Sequence, residues 1–333
     1  MDGRPSLRIV LAALAAGLLV FGIAGPAGAT FPGKNGVILF DAVDYSTNTV
    51  QIFQIGANGG GLDQLTSNPV GGNVWNQDPA PTSDGAKIYF TSTDRAANTP
   101  SEITSMDADG NNQQGIGAEG VWPSVNWKDS SLAVVQFVPA GQSVIVTMKP
   151  DGTNQKVVGD ATPNQGAGGP DYAPNGPRLA WYLVTFGPGG QGFASSDIFV
   201  RNGSHNNNIT DGSSELFTSP AWAPNGSKLI AITGENQQTI VSMRANGTGV
   251  QELISIGGGV AVSIASAVYS PDGKKIAYLR CDGDCGDPFV QDPGQGSIWV
   301  MNADGSDNHM IFNGTGFSPN GVQPADRLSW VAN

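Results

Sequence analysis

Histidine, cysteine and basic residues are scarce in this sequence of 333 residues. It contains two histidines and two cysteines, and its 28 acidic residues outnumber its 16 lysines and arginines. A net charge of −12 opposes the phosphate neutralisation that drives nucleic-acid binding, and no basic run along the chain offsets it. We therefore expect the protein to avoid polyanions, and the sequence excludes nucleic acid as a partner.

Motifs for nucleophilic, metal or phosphate chemistry are also lacking. The sequence contains no Gly-x-Ser-x-Gly elbow, no His-Glu-x-x-His pair and no phosphate-binding loop. His205 follows an Asn-Gly turn and His309 follows an Asp-Gly turn, so we interpret both as exposed turn residues. This pattern favours a protein that is not an enzyme.

Long apolar runs are confined to the start of the chain. Arg4 and Arg8 precede an apolar run at 9–22, and Ala27-Gly28-Ala29 has the small-x-small form that signal peptidase accepts. A run of about 14 residues is shorter than the ~20 that a membrane-spanning helix needs. We predict a signal peptide at 1–29 and an exported protein located in the periplasm, at the cell wall or outside the cell, with no membrane span after cleavage.

Uninterrupted helix-forming segments are hard to find after residue 30. Glycine occurs 47 times and proline 22 times, and Gly, Pro, Asn or Asp interrupts nearly every window of ten residues. Short strands joined by tight turns are typical of this composition.

One unit repeats along residues 30–333. Its first half reads S-P-D-G-K-K-I-A-Y at Ser270 to Tyr278, and its second half reads V-M-N-A-D-G at Val300 to Gly305. Asp-Gly and Asn-Gly supply the positive φ angles that hairpin turns need, so each unit predicts four antiparallel strands. An aromatic or proline position recurs about every 45 to 50 residues, with a longer last interval, at Pro81, Trp127, Tyr172, Trp222, Tyr269 and Trp330.

The two ends of the repeat region complete each other. Asn35 to Phe40 matches a second strand with no first strand before it, and Trp330 to Asn333 matches a first strand with no second strand after it. We therefore predict an all-β fold, a six-bladed β-propeller of four-stranded antiparallel blades, in which the C-terminal strand pairs with the N-terminal blade and closes the ring. A β-sandwich would not require such a period. Residues 30–333 then form a single domain.

The repeat resembles that of the TolB-type propellers, which carry WD-like repeats. The similarity rests on Ser270 to Tyr278 and Val300 to Gly305, and Phe31 to Gly36 is similar to the start of exported actinobacterial members. The resemblance implies an interaction scaffold in the periplasm or outside the cell, without the N-terminal α/β domain of TolB itself. We expect a monomer that binds an envelope or extracellular protein or glycan.

Candidate ligand-binding residues follow from the face that propellers use. Ligands of propellers usually meet the loops that join strand four to strand one and strand two to strand three. Trp75, Asp78, Trp122 and Asp171 precede or begin predicted inner strands and could line the channel mouth there. Two alternatives stay open: the tryptophans cover blade ends, or channel carboxylates perform lyase or glycoside hydrolase chemistry.

An insertion in the last repeat contains both cysteines and several aspartates. Cys281 and Cys285 would form a disulfide that pins a surface turn of an exported protein. Asp282, Asp284 and Asp287 are weak candidates for a calcium site, because carboxylate oxygens suit a hard cation but their spacing does not match an EF-hand loop. We expect no other cofactor.

Overall fold

Every strand of the computed structural model belongs to one of six four-stranded antiparallel sheets. The structure describes residues 30–44, 47, 49–68, 73–97, 99–139, 141–187, 193–234, 236–257, 262–283, 295–314 and 322–333, without the side chains at 322, 323, 325 and 326. Within these ranges the chain forms no helix, and so none with the length and apolarity needed to span a membrane. The predicted all-β, six-bladed propeller is confirmed.

The strands follow the chain around the ring, four to a blade. Blade 1 contains β1 (Asn35–Asp44), β2 (Thr49–Gly56), β3 (Asp63–Gln64) and, innermost, β24 (Val322–Ala332). Blade 2 contains β4 (Val74–Pro81), β5 (Lys87–Asp94), β6 (Glu102–Asp107) and β7 (Gln114–Glu119). Blade 3 contains β8 (Val121–Val125), β9 (Leu132–Phe137), β10 (Ser143–Met148) and β11 (Lys156–Gly159).

The other three blades have the same order. Blade 4 contains β12 (Gln165–Tyr172), β13 (Leu179–Phe186), β14 (Phe193–Asn202) and β15 (His205–Asn208). Blade 5 contains β16 (Phe217–Trp222), β17 (Lys228–Thr233), β18 (Thr239–Arg244) and β19 (Gln251–Ser255). Blade 6 contains β20 (Val262–Tyr269), β21 (Lys275–Asp282), β22 (Gln295–Asn302) and β23 (His309–Asn313).

The C-terminal strand closes the ring, as the matching chain ends predicted. β24 pairs antiparallel with β1, with Trp330 opposite Ile38 and Leu328 opposite Phe40. The indole nitrogen of Trp330 also donates a hydrogen bond to the carbonyl of Gly36 (3.2 Å). Blade 1 thus joins the two ends of the described chain and leaves no unpaired inner edge.

Each inner strand contains a register shift where it pairs with the second strand of its blade. In blades 2 to 5 the shift includes a proline, which has no N–H to offer the ladder. The residue before that proline has a positive φ: Asp78 (59°), Trp122 (55°), Gly169 (62°) and Ser219 (49°). At these bulges the regular ladder of backbone hydrogen bonds is interrupted.

The repeat position assigned to Trp127 is wrong by two residues. Blade 3 ends its inner strand at Val125, which pairs with Leu132 as Trp222 pairs with Leu229 in blade 5. Trp127 lies beyond the strand, 37% exposed, with the ammonium of Lys128 4.6 Å from its ring centre. Blade 3 has an aliphatic residue, Val125, where most other blades have an aromatic one. The nearby indole of Trp127 was therefore aligned with that repeat position instead.

The hydrophobic core fills the spaces between neighbouring blades. One cluster contains Ile230 of blade 5, Ile276 of blade 6 and Phe40 of blade 1. Phe40 contacts Phe312 of blade 6, with ring centres 5.8 Å apart. Neighbouring blades cover both faces of each sheet in this way. The sequences of the central strands are therefore nearly continuous runs of apolar residues.

Glycines of the hairpins between third and fourth strands permit close approach of the blades. Gly110 and Gly247, with φ of 83° and 80°, lie against the carbonyls of Leu65 and Ile209 in the preceding blades and leave no room for a Cβ atom. Gly203 of blade 4 has no such neighbour within 4 Å. There the side chain of Asn206 instead donates to the Val158 carbonyl of blade 3 (2.7 Å).

Candidate functional site

Three aspartates and one arginine lie buried near the ring axis. Asp41, Asp171 and Arg327 are fully covered, and Asp78 is 4% exposed. They come from blades 1, 2 and 4, so only closure of the ring brings them together. The pKa of Arg327 responds to the charge of all three carboxyl groups, which defines an axial cluster of these four residues.

Asp41 joins blade 1 to blade 2. One of its carboxylate oxygens accepts a hydrogen bond from the backbone N–H of Asp78, and the other accepts one from the N–H of Arg327, both at 2.9 Å. Both donors lie at or beside inner-strand bulges, where the regular ladder does not satisfy them. The Asp41 carboxylate replaces those missing backbone partners.

The carboxylate of Asp78 has its hydrogen-bond partner within blade 2. The hydroxyl of Thr91 donates to its carboxylate (2.7 Å), and the same hydroxyl accepts a hydrogen bond from the backbone N–H of Trp122 in blade 3 (3.2 Å). The positive φ of Trp122 directs that N–H toward Thr91. Asp78 and Thr91 therefore connect blades 2 and 3.

Asp171 joins blade 4 to blade 5. Its Oδ2 atom accepts a hydrogen bond from the N–H of Trp222 (2.8 Å), and the indole N–H of Trp222 donates to the Asp171 carbonyl (3.0 Å). Its buried Oδ1 atom accepts no hydrogen bond from the described part of the chain. Ser124 holds the equivalent position in blade 3 and accepts from the N–H of Tyr172 in blade 4 (3.0 Å).

Burial shifts the pKa values of these groups. Desolvation, with a smaller contribution from the charge of Asp41, raises the pKa of Asp78 to about 7, against the opposing effects of Arg327 and Thr91. Desolvation also raises the pKa of Asp171 to about 8, opposed by the Trp222 N–H and by Arg327. Burial lowers the pKa of Arg327, opposed by the three aspartates. Asp78 and Asp171 can therefore hold protons near neutral pH.

The structure separates the four predicted ligand-binding residues into two pairs. Asp78 and Asp171 belong to the axial cluster. Their predicted place at the strand starts is wrong, since Asp78 lies inside β4 and Asp171 is the penultimate residue of β12. Trp75 is 4% exposed, packs with Val43 and Val50, and has the Arg95 guanidinium 4.0 Å from its ring centre. Trp122 is half-buried against the cluster of blades 3 and 4. Ligand contact by these side chains stays a prediction.

Sequence reasoning did not select Asp41 or Arg327. The signal for Asp41 was present, since it is the single acid in the apolar run V-I-L-F-D-A-V at Val37 to Val43. A buried charge of this kind requires partners. Arg327 had no comparable signal, because its role depends on where β24 enters the ring.

The insertion in blade 6 falls mostly outside the described residues. Cys285, Asp284 and Asp287 lie there, so the disulfide and the calcium site stay predictions. Cys281 is 5% exposed at the end of β21. The carboxylate of Asp282 forms an ion pair with Arg280 (2.9 Å). Within the described ranges no three His, Cys, Asp or Glu side chains converge in a manner suited to a metal ion.

The acids of the Asp-Gly turns organise those turns, as predicted. Asp272 accepts hydrogen bonds from the Ser270 hydroxyl (2.7 Å) and the Lys274 N–H (3.1 Å), and these bonds help to lower its pKa. His205 and His309 are exposed at the starts of outer strands. The expectation of surface histidines is confirmed.

Solved structures with the same architecture identify the type of propeller. The TolB protein of Acinetobacter baumannii superimposes with a TM-score of 0.61 at 15% identity, over 99% of this chain and 74% of that one. A TolB-type protein of Agrobacterium tumefaciens matches with a TM-score of 0.59 at 15% identity, over 88% of this chain and 92% of that one. The chain has the TolB-type propeller fold.

The TolB-type fold also occurs in enzymes. An oligogalacturonate lyase of Vibrio parahaemolyticus matches with a TM-score of 0.51 at 13% identity, over 88% of this chain and 79% of that one. No protein-family model matches the sequence. At these identities the likeness establishes the fold, and function has to be argued from the side chains.

Proposed function

We propose that this protein is an exported, non-catalytic binding scaffold whose ligand is a protein or glycan of the cell envelope or its surroundings. The TolB-type fold and the signal-peptide features of residues 1–29 support this proposal. The observation that carries it is the state of the axial cluster. Its aspartates are covered: Asp41 and Asp171 accept hydrogen bonds from backbone N–H groups of neighbouring blades, and Asp78 accepts one from the Thr91 hydroxyl, so they act as structural acceptors.

Catalysis by paired carboxyl groups requires that substrate reach them. A general acid and a base or nucleophile must flank the scissile bond within hydrogen-bond distance. Asp41 already uses both oxygens to hold two strands together, and Asp171 is fully covered beside Trp222. Freeing either group would break contacts between blades, which favours a structural role.

A lyase or glycoside hydrolase is the second candidate, and one observation favours it. Asp78 and Asp171 have pKa values raised to about 7 and about 8, the range in which a carboxyl group serves as a general acid at neutral pH. The same fold is present in an oligogalacturonate lyase. Burial without catalysis explains these shifts equally well.

Turnover assays discriminate between the two candidates. The purified protein is incubated with polygalacturonate, alginate and neutral glucans, and the release of reducing ends and of unsaturated uronates is followed. We expect no turnover above that of the Asp78→Asn and Asp171→Asn variants. Turnover that is lost in either variant while the thermal transition is retained would show that the protein is an enzyme.

Capture from envelope extracts tests the binding role. The immobilised native protein is expected to retain a specific protein or glycan that a thermally unfolded sample does not retain. The Trp122→Ala variant tests the channel face, because Trp122 is half-buried at the start of an inner strand. Retention unaffected by this substitution would place the binding surface elsewhere on the propeller, and retention of nothing would contradict the scaffold role.

A further inference from the structure

Blades 4 and 5 have asparagine before the glycine in both of their glycine turns, whereas blades 2, 3 and 6 have aspartate. Aspartate precedes the turn glycine in blades 2, 3 and 6, at Asp84, Asp109, Asp151, Asp272 and Asp304. Asparagine takes that place in both turns of blades 4 and 5, at Asn175, Asn202, Asn225 and Asn246, and also at Asn58 of blade 1. One sector of an acidic protein therefore lacks the negative charges that its turns usually carry.

Turn geometry does not account for this difference. The side-chain oxygen of Asn246 accepts hydrogen bonds from the N–H (3.2 Å) and the hydroxyl (2.8 Å) of Thr248. Asp151 accepts the same two bonds from Thr153, at 3.0 and 2.6 Å. Since both residues build the same turn, the exchange changes the local charge and little else.

The same sector contains two like charges in direct opposition. Lys228 pairs with Arg244 across β17 and β18. At the equivalent place in blade 2, Lys87 pairs with Asp107 and forms a salt bridge of 3.0 Å. Like charges directly opposite each other are destabilising in an antiparallel pair, so blade 5 retains an unfavourable arrangement that blade 2 avoids.

Blade 4 supplies two further guanidinium groups, of which Arg178 faces blade 5 and Arg201 faces blade 3. Arg178 donates to the carbonyl of Gly226 (2.7 Å) and lies over the Trp222 ring at 4.5 Å. Arg201 donates to the side-chain oxygen of Asn206 (2.8 Å). These acceptors are neutral, and neither arginine, nor Lys228 or Arg244, forms an ion pair within the described part of the chain.

A cleft of about 510 Å³ opens between blades 4 and 5 at this point. No acidic residue lines it, although the chain carries a net charge of −12. Its walls combine two arginines, four asparagines and a serine with a few small aliphatic groups: Arg178, Val200, Asn202, Asn207, Asn208, Ile209, Ser227, Arg244, Ala245 and Asn246.

We propose that this cleft binds an anionic polysaccharide through its carboxylate or sulfate groups. Guanidinium groups pair with such anions in a bidentate manner, and asparagine amides offer a donor and an acceptor to sugar hydroxyls. An acidic peptide fits less well, because it could pair with the arginines but would offer few hydroxyl groups to the four asparagine amides. This assignment rests on the proposed scaffold function and specifies one ligand class and its site.

The local charge of this cleft is positive, whereas the net charge of the chain is negative. The net charge of −12 repels polyanions at long range. At about 0.15 M salt the Debye length is about 8 Å, so charges on distant blades are screened while those within the cleft act on a bound ligand. The basic groups come from residues far apart in sequence, and folding concentrates them.

Calorimetric titration tests the assignment. The probes are polygalacturonate for carboxylate, dextran sulfate for sulfate, uncharged dextran, and poly-glutamate as an acidic polypeptide. We expect one or both anionic glycans to bind at least tenfold more tightly than dextran and poly-glutamate. The comparison between the two glycans distinguishes the acidic group that the cleft prefers.

Charge variants locate the binding. Asn202→Asp with Asn246→Asp adds two negative charges to the cleft while keeping both turns, and Arg244→Asp recreates the Lys–Asp pair of blade 2. Each variant is expected to weaken glycan binding by about tenfold or more with an unchanged fold. Asn58→Asp is the matched control, because it makes the same change at the corresponding turn of blade 1, and it should leave the affinity within about twofold.

Four outcomes would overturn the assignment: no binding of either anionic glycan, equal binding of dextran, tighter binding of poly-glutamate, or equal losses in Asn58→Asp and the cleft variants. Failure here is distinguishable from failure of the scaffold proposal. A protein that captures an envelope ligand but binds no anionic glycan would refute the cleft assignment alone, whereas turnover lost in Asp78→Asn would refute the scaffold role alone.

Discussion

The backbone N–H of Asp78 donates a 2.9 Å hydrogen bond to the carboxylate of Asp41, which lies 37 residues earlier in the chain and in the neighbouring blade. Asp41 holds the N–H of Arg327 with its other oxygen. A buried carboxylate thus connects the first described strand, the last strand and the second blade. Because the charge is covered, its removal has consequences for stability that an exposed acid would not have.

Replacement of Asp41 by alanine should destabilise the propeller. Two buried N–H donors would lose their partner, at a cost of about 1–3 kcal/mol each, and Asp41→Asn should cost less because one oxygen remains. Urea unfolding measures the difference. Asp63→Ala is the control, since Asp63 is exposed on an outer strand and should stay within about 0.5 kcal/mol of the native protein. Equal effects of Asp41→Ala and Asp63→Ala would contradict the structural role of Asp41.

The stability of the protein should fall as pH rises from about 5 to 8. The pKa values of Asp78 and Asp171 are raised to about 7 and about 8 in the folded state, so the folded protein holds protons that the unfolded chain releases above its ordinary carboxyl pKa near 3.8. The unfolded state then binds fewer protons, and the free energy of unfolding decreases with pH across this window. Thermal denaturation at a series of pH values measures the trend.

The substitution Asp171→Asn isolates one of these two groups. The amide cannot ionise, yet its oxygen can still accept the hydrogen bond of the Trp222 N–H. We expect the decline of the melting temperature between pH 5 and pH 8 to become shallower than in the native protein. A melting temperature that rises over this range, or a decline unaltered by the substitution, would show that the pKa of Asp171 is not raised in the folded state.

Trp330 should be among the most sensitive positions for stability. Its side chain is fully buried where β24 meets β1, and Trp330→Ala should cost about 3–5 kcal/mol through lost burial and the cavity left behind. Trp127→Ala is the matched control, because that indole is 37% exposed beyond its strand, and its removal should cost well under 1 kcal/mol. Denaturant midpoints of the two variants decide the matter. A larger loss at Trp127 would reverse the corrected strand assignment of blade 3.

Gly247 and Gly203 separate the effect of backbone conformation from that of blade packing. Both have positive φ, 80° and 62°, but only Gly247 lies against a carbonyl of the preceding blade. Alanine at Gly203 should cost about 1 kcal/mol, from the left-handed conformation alone. Alanine at Gly247 should cost about 2 kcal/mol or more beyond that, because the blades must move apart. Thermal unfolding of both variants measures the difference, and equal costs would show that the close approach is not required.

Export should remove residues 1–29. In cells that produce the full chain, the protein recovered outside the cytoplasm is expected to begin at Thr30, as N-terminal sequencing would show. A chain that lacks residues 2–29 should stay in the cytoplasm. An exported protein that still begins at Met1, or export of the shortened chain, would contradict the signal-peptide prediction.

Much of the fold was encoded locally and could be predicted. Asp272-Gly273 and Asn225-Gly226 mark hairpins because few other residue pairs accept the required φ angles, and apolar alternation marks the strands beside them. The matching chain ends at Val37 and Trp330 predicted closure of the ring, which the pairing of β1 with β24 confirms. The repeat in blade 3 was misaligned by two residues, because the indole of Trp127 was taken for the aromatic position that Val125 occupies.

The candidate sites are formed by residues that are far apart in the chain, so no local sequence pattern predicts which of them become neighbours. Asp78 and Asp171 were selected because the sequence predicted them at the starts of inner strands, although they lie inside β4 and near the end of β12. Asp41 and Arg327 join them only because the last strand enters blade 1 from the far end of the chain. The shifts in the pKa values of Asp78 and Asp171 arise from burial, which packing of all the blades creates.

The sequence by itself determined the number of blades, the turn types and the overall acidity, because these follow from residue identity and spacing. Tertiary structure decided which charges become neighbours. Arg178 and Arg244 are separated along the chain but line one cleft, and Asp41 and Arg327 meet at the axis. The interaction energy of two charges depends on the distance between them and on their burial, and both are fixed only when the blades pack.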